Sequence, residues 1–80
     1  MNITVLFFGI TTDLVGENTI TYAIENDTTI ENLKTLLKTN YPNLKNIDDF
    51  AVAVNEEYAT NEHLLKSNDV VAIIPPVSGG

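Results

Sequence analysis

The chain has 80 residues, no cysteine, and four basic residues against eleven acidic ones, for a formal net charge of −7. A chain this short buries about 63% of its unfolded surface around a single core, which leaves no room for a second domain and little for a catalytic cleft of its own. Without cysteine there is no disulfide framework, thiolate metal site or thiol nucleophile. The acidic balance, with lysine as the only strong cation, argues against nucleic acid and anionic membranes and for a basic protein partner.

Met1 to Phe8 lacks the basic flank and length of a signal peptide, and no apolar run approaches membrane-spanning length, so the sequence reads as a cytoplasmic protein. Residues 2 to 8 are, after Asn2, apolar or β-branched on both parities: Ile3, Val5 and Phe7 on one face, Leu6 and Phe8 on the other. This predicts a strand covered on both sides. Thr11 to Gly16 has cap-type residues and a glycine stop, as in a brief helical connection. Thr19 to Ile24 alternates Ile20, Tyr22 and Ile24 with polar or small residues and predicts a half-buried second strand.

Thr28-Thr29-Ile30-Glu31 matches a capping box, with Thr28 and Glu31 satisfying each other's backbone N–H groups, so a helix should start near Thr29. Ile30, Leu33, Leu37 and Tyr41 recur at helical spacing, Leu36 widens the stripe, and Pro42 ends it. Lys34, Lys38 and Glu31 then form a solvent face. Asn43 to Asp49 reads as a polar linker. Phe50 to Val54 is a third strand, Asn55-Glu56-Glu57 a turn, and Tyr58-Ala59 a short strand. Thr60 to Leu65 is irregular, Ser67-Asn68-Asp69 has turn chemistry, and Val70 to Ile74 is a continuous apolar run typical of a central strand.

This order, β-β-α-β-β-β with one amphipathic helix, predicts an α+β fold. Its simplest form is a mixed sheet of about five strands with the first and last adjacent at the centre and the helix across one face. That is the β-grasp, or ubiquitin-like, arrangement, spanning residues 1–74 and followed by a tail at 75–80.

The tail carries the chemistry. Pro75 and Pro76 fix φ and push Ile74 toward extended backbone, giving a stiff base. After Val77, the small Ser78 keeps the arm thin, and Gly79 and Gly80 have no side chain to refuse a narrow channel. The Gly80 carboxylate is the candidate working group. The other polar side chains fit ordinary surface roles. His63 has no second histidine or cysteine with which to hold a metal, so no metal site is expected. Ser78 has no nearby base to make it a nucleophile. Asp48-Asp49 and Glu56-Glu57 are solvated turn residues.

With Val5-Leu6-Phe7-Phe8, the Val52-Ala53-Val54-Asn55 hairpin, and Asp69-Val70-Val71-Ala72 running into Pro75-Pro76-Val77-Ser78-Gly79-Gly80, the chain resembles the small sulfur-carrier subunits of molybdopterin synthase. The resemblance implies that an E1-like enzyme adenylates Gly80. It also implies that a sulfur donor of desulfurase or rhodanese type converts the carboxylate to a thiocarboxylate, a 1-thioglycine modification, with no cofactor bound. The tail, Pro75 to Gly80, would then enter the active site of the large subunit and deliver sulfur to a cyclic pyranopterin phosphate, in a heterotetramer of two carriers and two large subunits. On this reading the chain is not itself an enzyme. The apolar surface gripped by partners would map onto Phe8, Tyr58 and Ile74. Two positions depart from the family pattern: Thr12-Asp13 replaces an Arg-Glu pair, and Ile74 replaces an aromatic before Pro-Pro. A ubiquitin-like protein modifier, a thiamine-pathway sulfur carrier and a passive binding module are the competing readings.

Overall fold

A computed structural model describes residues 1–76. The expectations for Val77, Ser78, Gly79 and Gly80 concern residues outside those described. Strands β1 (Asn2–Phe7), β2 (Thr19–Ala23), β3 (Ala51–Val54), β4 (Glu57–Tyr58) and β5 (Val70–Ile74) form one sheet in the order β2-β1-β5-β3-β4. β1 and β5 are central and parallel, and every other pairing is antiparallel. A short helix, α1 (Ile10–Val15), follows β1, and the main helix, α2 (Ile30–Asn40), lies between β2 and β3. This is the β-grasp arrangement.

The register puts alternate residues on one face, where Ile3, Val5, Val71, Ile73, Val52 and Val54 are buried with Ile30, Leu33 and Leu37 of α2. That side-chain set is the core, and alternation rather than continuous apolarity organises it. β1 is therefore not covered on both sides. Leu6 is half-buried and Phe8 exposed, on the face opposite the one that α2 protects. Tyr22 and Ile20 of β2 are half-buried at the margin of the core.

The cap of α2 differs from expectation by one residue. Thr29 is the N-cap, its hydroxyl accepting from the Asn32 N–H while the Asn32 side chain accepts from the Thr29 N–H. Thr28, one residue earlier, turns its hydroxyl to the Glu25 carbonyl at 2.7 Å, so it is unavailable to the helix. Leu36 is exposed and does not widen the buried stripe. Lys34, expected in solvent, is buried, with its Nζ donating to Asn61 Oδ1 at 3.1 Å. A lysine stem can cover apolar surface when its ammonium finds a partner.

The segment after α2 is also more than a linker. Leu44 and Ile47 are fully buried, the latter opening a 3₁₀ turn at Ile47–Asp49. Together they close the end of the core between α2 and β3. Turn chemistry matches the sequence more closely. Asn55 and Glu56 both have positive φ, as a tight hairpin between β3 and β4 requires, and Asn68 does so before β5.

Candidate functional site

Because β1 and β5 run parallel, both leave the sheet at the same end. Phe7 is in register with Ile73, which sets Phe8 beside Ile74, and Pro75 follows immediately. The chain turns from β1 into α1 at Gly9, whose φ of 57° and ψ of −135° suit only glycine. A Cβ built there would lie 3.2 Å from the Pro75 ring. The base of the tail is thus seated against a glycine that admits it. Two hydroxyls fasten the same corner: Thr11 Oγ1 donates to the Phe8 carbonyl and Thr12 Oγ1 to the Phe7 carbonyl. Thr12, one of the departures from the family pattern, here ties off the end of β1.

The uncovered face of the sheet reaches this root. One row runs across four strands as Leu6, Ala72, Ala53 and Tyr58, and the next brings Ile74 opposite Ala51. Phe8 is 48% exposed and Tyr58 76%, while Ile74 is half-buried. A shallow hollow of about 470 Å³ is lined by Leu6, Phe8, Val70, Ala72, Asn55 and Glu56. The structure therefore brings Phe8 and Ile74 together at the tail root. Tyr58 stands on the edge strand of the same face, two strand spacings or roughly 10 Å from β5 and three or roughly 14 Å from β1. Phe8 is not a core residue. Leu6, Val70 and Ala72 belong to this face and were missed as surface residues. The signal was present in β3, where Ala alternates with Val: small residues on one parity leave a face that a partner can approach closely.

Asp69 organises the opposite end of β5. It is buried, accepts from the Lys66 backbone N–H at 2.8 Å, and accepts from Asn55 Nδ2 at 3.0 Å, while Asn55 Oδ1 takes the Val70 N–H at 3.0 Å. This clasp joins two turns. Asp48 is exposed, as expected, and also pairs with Lys38 at 2.7 Å, whose ammonium holds its carboxyl below the usual carboxylate range. His63 is exposed in its loop. Among the described residues, no group of three or more histidine or acidic side chains is placed to hold a metal ion, and no helix is long and apolar enough to cross a membrane.

Residues 5–80 match the ThiS family. The chain belongs to that family. Within it, this ThiS-family chain is 33% identical over 81 residues to the molybdopterin synthase sulfur carrier subunit of Arabidopsis thaliana, covering 100% of this chain and 84% of the relative. It superposes on SAMP1 from Haloferax volcanii with a TM-score of 0.88 over the whole of both chains, at 24% identity, a likeness of fold. It also matches a chain in the complex of subunits 1 and 2 of the molybdopterin-converting factor from Helicobacter pylori, with a TM-score of 0.70, 25% identity and full coverage of both chains.

Proposed function

We propose that the chain is the sulfur carrier of molybdopterin synthase and works through a thiocarboxylate on Gly80. The observation that supports this most directly is the position of the tail root. In a chain aligned over its full length with molybdopterin synthase sulfur carrier subunits, Pro75 leaves the sheet on the rim of an uncovered apolar face. A partner seated on that face, around Phe8 and Ile74, would receive the tail beside it.

The chemistry needs activation. A carboxylate is a poor electrophile, so an E1-like enzyme would join Gly80 to the adenylyl group of ATP and release pyrophosphate. A donor persulfide then attacks the acyl carbon and expels AMP, and a thiol cleaves the resulting acyl disulfide to leave the thiocarboxylate. The large subunit supplies the pocket in which this sulfur attacks the pyranopterin. The chain lends a nucleophile on a thin arm, and its own residues hold and aim that arm. No cofactor is required on the carrier.

The test is intact mass spectrometry after incubation with the activating enzyme, ATP and a sulfur donor. Exchange of one oxygen for sulfur adds about 16 Da, and alkylation separates this from Met1 oxidation. An alkylatable form on the cysteine-free chain is expected. A terminus that remains a plain carboxylate, or one found joined to lysines of other proteins, overturns the sulfur reading and favours the modifier.

A further inference from the structure

The two edges of the sheet are built differently. β4 is only two residues long, a common way to blunt an edge. β2 is five residues, Thr-Ile-Thr-Tyr-Ala, with no proline, lysine or bulge. Its hydrogen-bond phase follows from its partner. Met1 and Ile24 exchange two bonds at 2.8 Å, and Phe7 donates to Asn18 at 2.9 Å. Bonded pairs alternate in an antiparallel ladder, so Tyr22 and Ile20 also face β1. The N–H and C=O groups of Thr19, Thr21 and Ala23 therefore point outward. Next to the Ala23 end, an open groove of about 680 Å³ separates this edge from α2, lined by Ile24, Asn32 and Leu36 with Glu25 and Asp27 at its lip. Leu36 is an exposed leucine that the core does not use.

From this we infer that the β2 edge accepts an extended segment of a basic partner protein as a sixth, antiparallel strand, with its apolar side chains entering the groove against Leu36. Charge selects the occupant. Two copies of this chain paired through all three outward residues would be centred on Thr21, which sets Glu17 of one directly against Glu25 of the other at both ends. Like charges opposite each other disfavour that pairing. A strand with lysine or arginine at positions eight residues apart meets both glutamates, and strand addition through main-chain bonds with alternate side-chain pockets is an established mode of peptide capture. The Ala23 end and its groove lie at the opposite end of β2 from the Phe8 corner, which only the Glu17 end adjoins, and the inference draws on no part of the sulfur chemistry.

The probe is the nine-residue peptide Lys-Val-Thr-Val-Thr-Val-Thr-Val-Lys with blocked ends, titrated into the isotope-labelled full chain by NMR. Binding should shift the amides of Thr19, Thr21 and Ala23 and the Leu36 methyls, and slow exchange of the outward amides. Thr21→Pro deletes an outward N–H without touching the β1 ladder and should weaken binding roughly tenfold. The double change Glu17→Lys with Glu25→Lys leaves the fold's contacts alone and should transfer preference to the same peptide flanked by glutamate. The inference is overturned if shifts map to Phe8 and Ile74 instead, if neither variant changes affinity, or if the same amides respond to protein concentration without peptide.

Discussion

Gly9→Ala tests whether the seat of the tail depends on a glycine. Gly9 has φ 57° and ψ −135°, a region in which non-glycine residues carry about 1–3 kcal/mol of strain. The new methyl would also sit 3.2 Å from Pro75 Cγ, so the ring at the tail base must give by a few tenths of an ångström. Against this, replacing glycine restricts the unfolded chain and returns about 0.4–1 kcal/mol. The net expectation is a loss of about 2 kcal/mol. With a urea dependence of about 1 kcal/mol/M for a domain of this size, the unfolding midpoint should fall by about 2 M. Gly16→Ala is the internal control. Gly16 is left-handed at φ 88° and ψ 2°, but nothing lies within 4 Å of its missing Cβ, so alanine there should cost only about 1 kcal/mol. The Gly9 variant should in addition be thiocarboxylated more slowly under conditions where it is still folded, because Pro75 has moved. A Gly9→Ala midpoint within about 0.5 M of the parent, or a larger loss from Gly16→Ala, would refute the argument.

Four further outcomes follow from the same geometry. Phe8→Asp should change stability by less than about 0.5 kcal/mol while lowering affinity for the large subunit at least tenfold, whereas Ile73→Ala, one strand over and fully buried, should cost about 2–4 kcal/mol; calorimetry of unfolding and of binding separates the two. Asn55→Ala removes two hydrogen bonds of the clasp, one to the buried Asp69, and should cost about 2–3 kcal/mol in denaturant unfolding. Asn61→Ala leaves the buried Lys34 ammonium unpartnered and should lose about 1 kcal/mol, while Lys34→Met should be nearly neutral; equal effects would show that Nζ reaches water unaided. The Asp48 carboxyl, depressed by Lys38, should titrate below the ordinary aspartate range in carbon-detected NMR and return to it in Lys38→Met. A depressed acid stabilises the fold above its unfolded value and loses that contribution as pH falls, so the pair matters at neutral pH and vanishes in acid.

Elements with a strong period or a turn signal were legible in the sequence. The helix stripe at Ile30, Leu33 and Leu37 is buried as its spacing demands, and Asn55 and Asn68 mark positive-φ turns. What escaped was local competition and remote packing. Thr28 and Thr29 each begin a capping pattern, and only the three-dimensional path of Glu25 to Thr28 decides which hydroxyl is free for the helix. Leu44 and Ile47 sit three residues apart in a polar run too short to show a period, although they plug the core. The two-sided apolarity of β1 was read as double cover because a strand alone cannot say whether its second face meets this chain or another. The site was legible only in part: Phe8 and Ile74 fall together at the tail root, while Tyr58 shares their face at a distance that strand order alone sets.

The central strand pair has a consequence for how the molecule comes into being. β5 inserts between β1 and β3, so the sheet has a gap at its middle until residues 70–74 are available. Contacts between segments this far apart in sequence form late and slowly, since loop closure precedes their reward. A nascent chain that stops short of β5 would hold two hairpins, β1-β2 and β3-β4, with unsatisfied inner edges and a core lacking Val71 and Ile73. Pro75 is consequently seated against Gly9 only in a molecule whose fold is complete, so an enzyme that recognised the folded face beside Pro75 would be inspecting the whole domain.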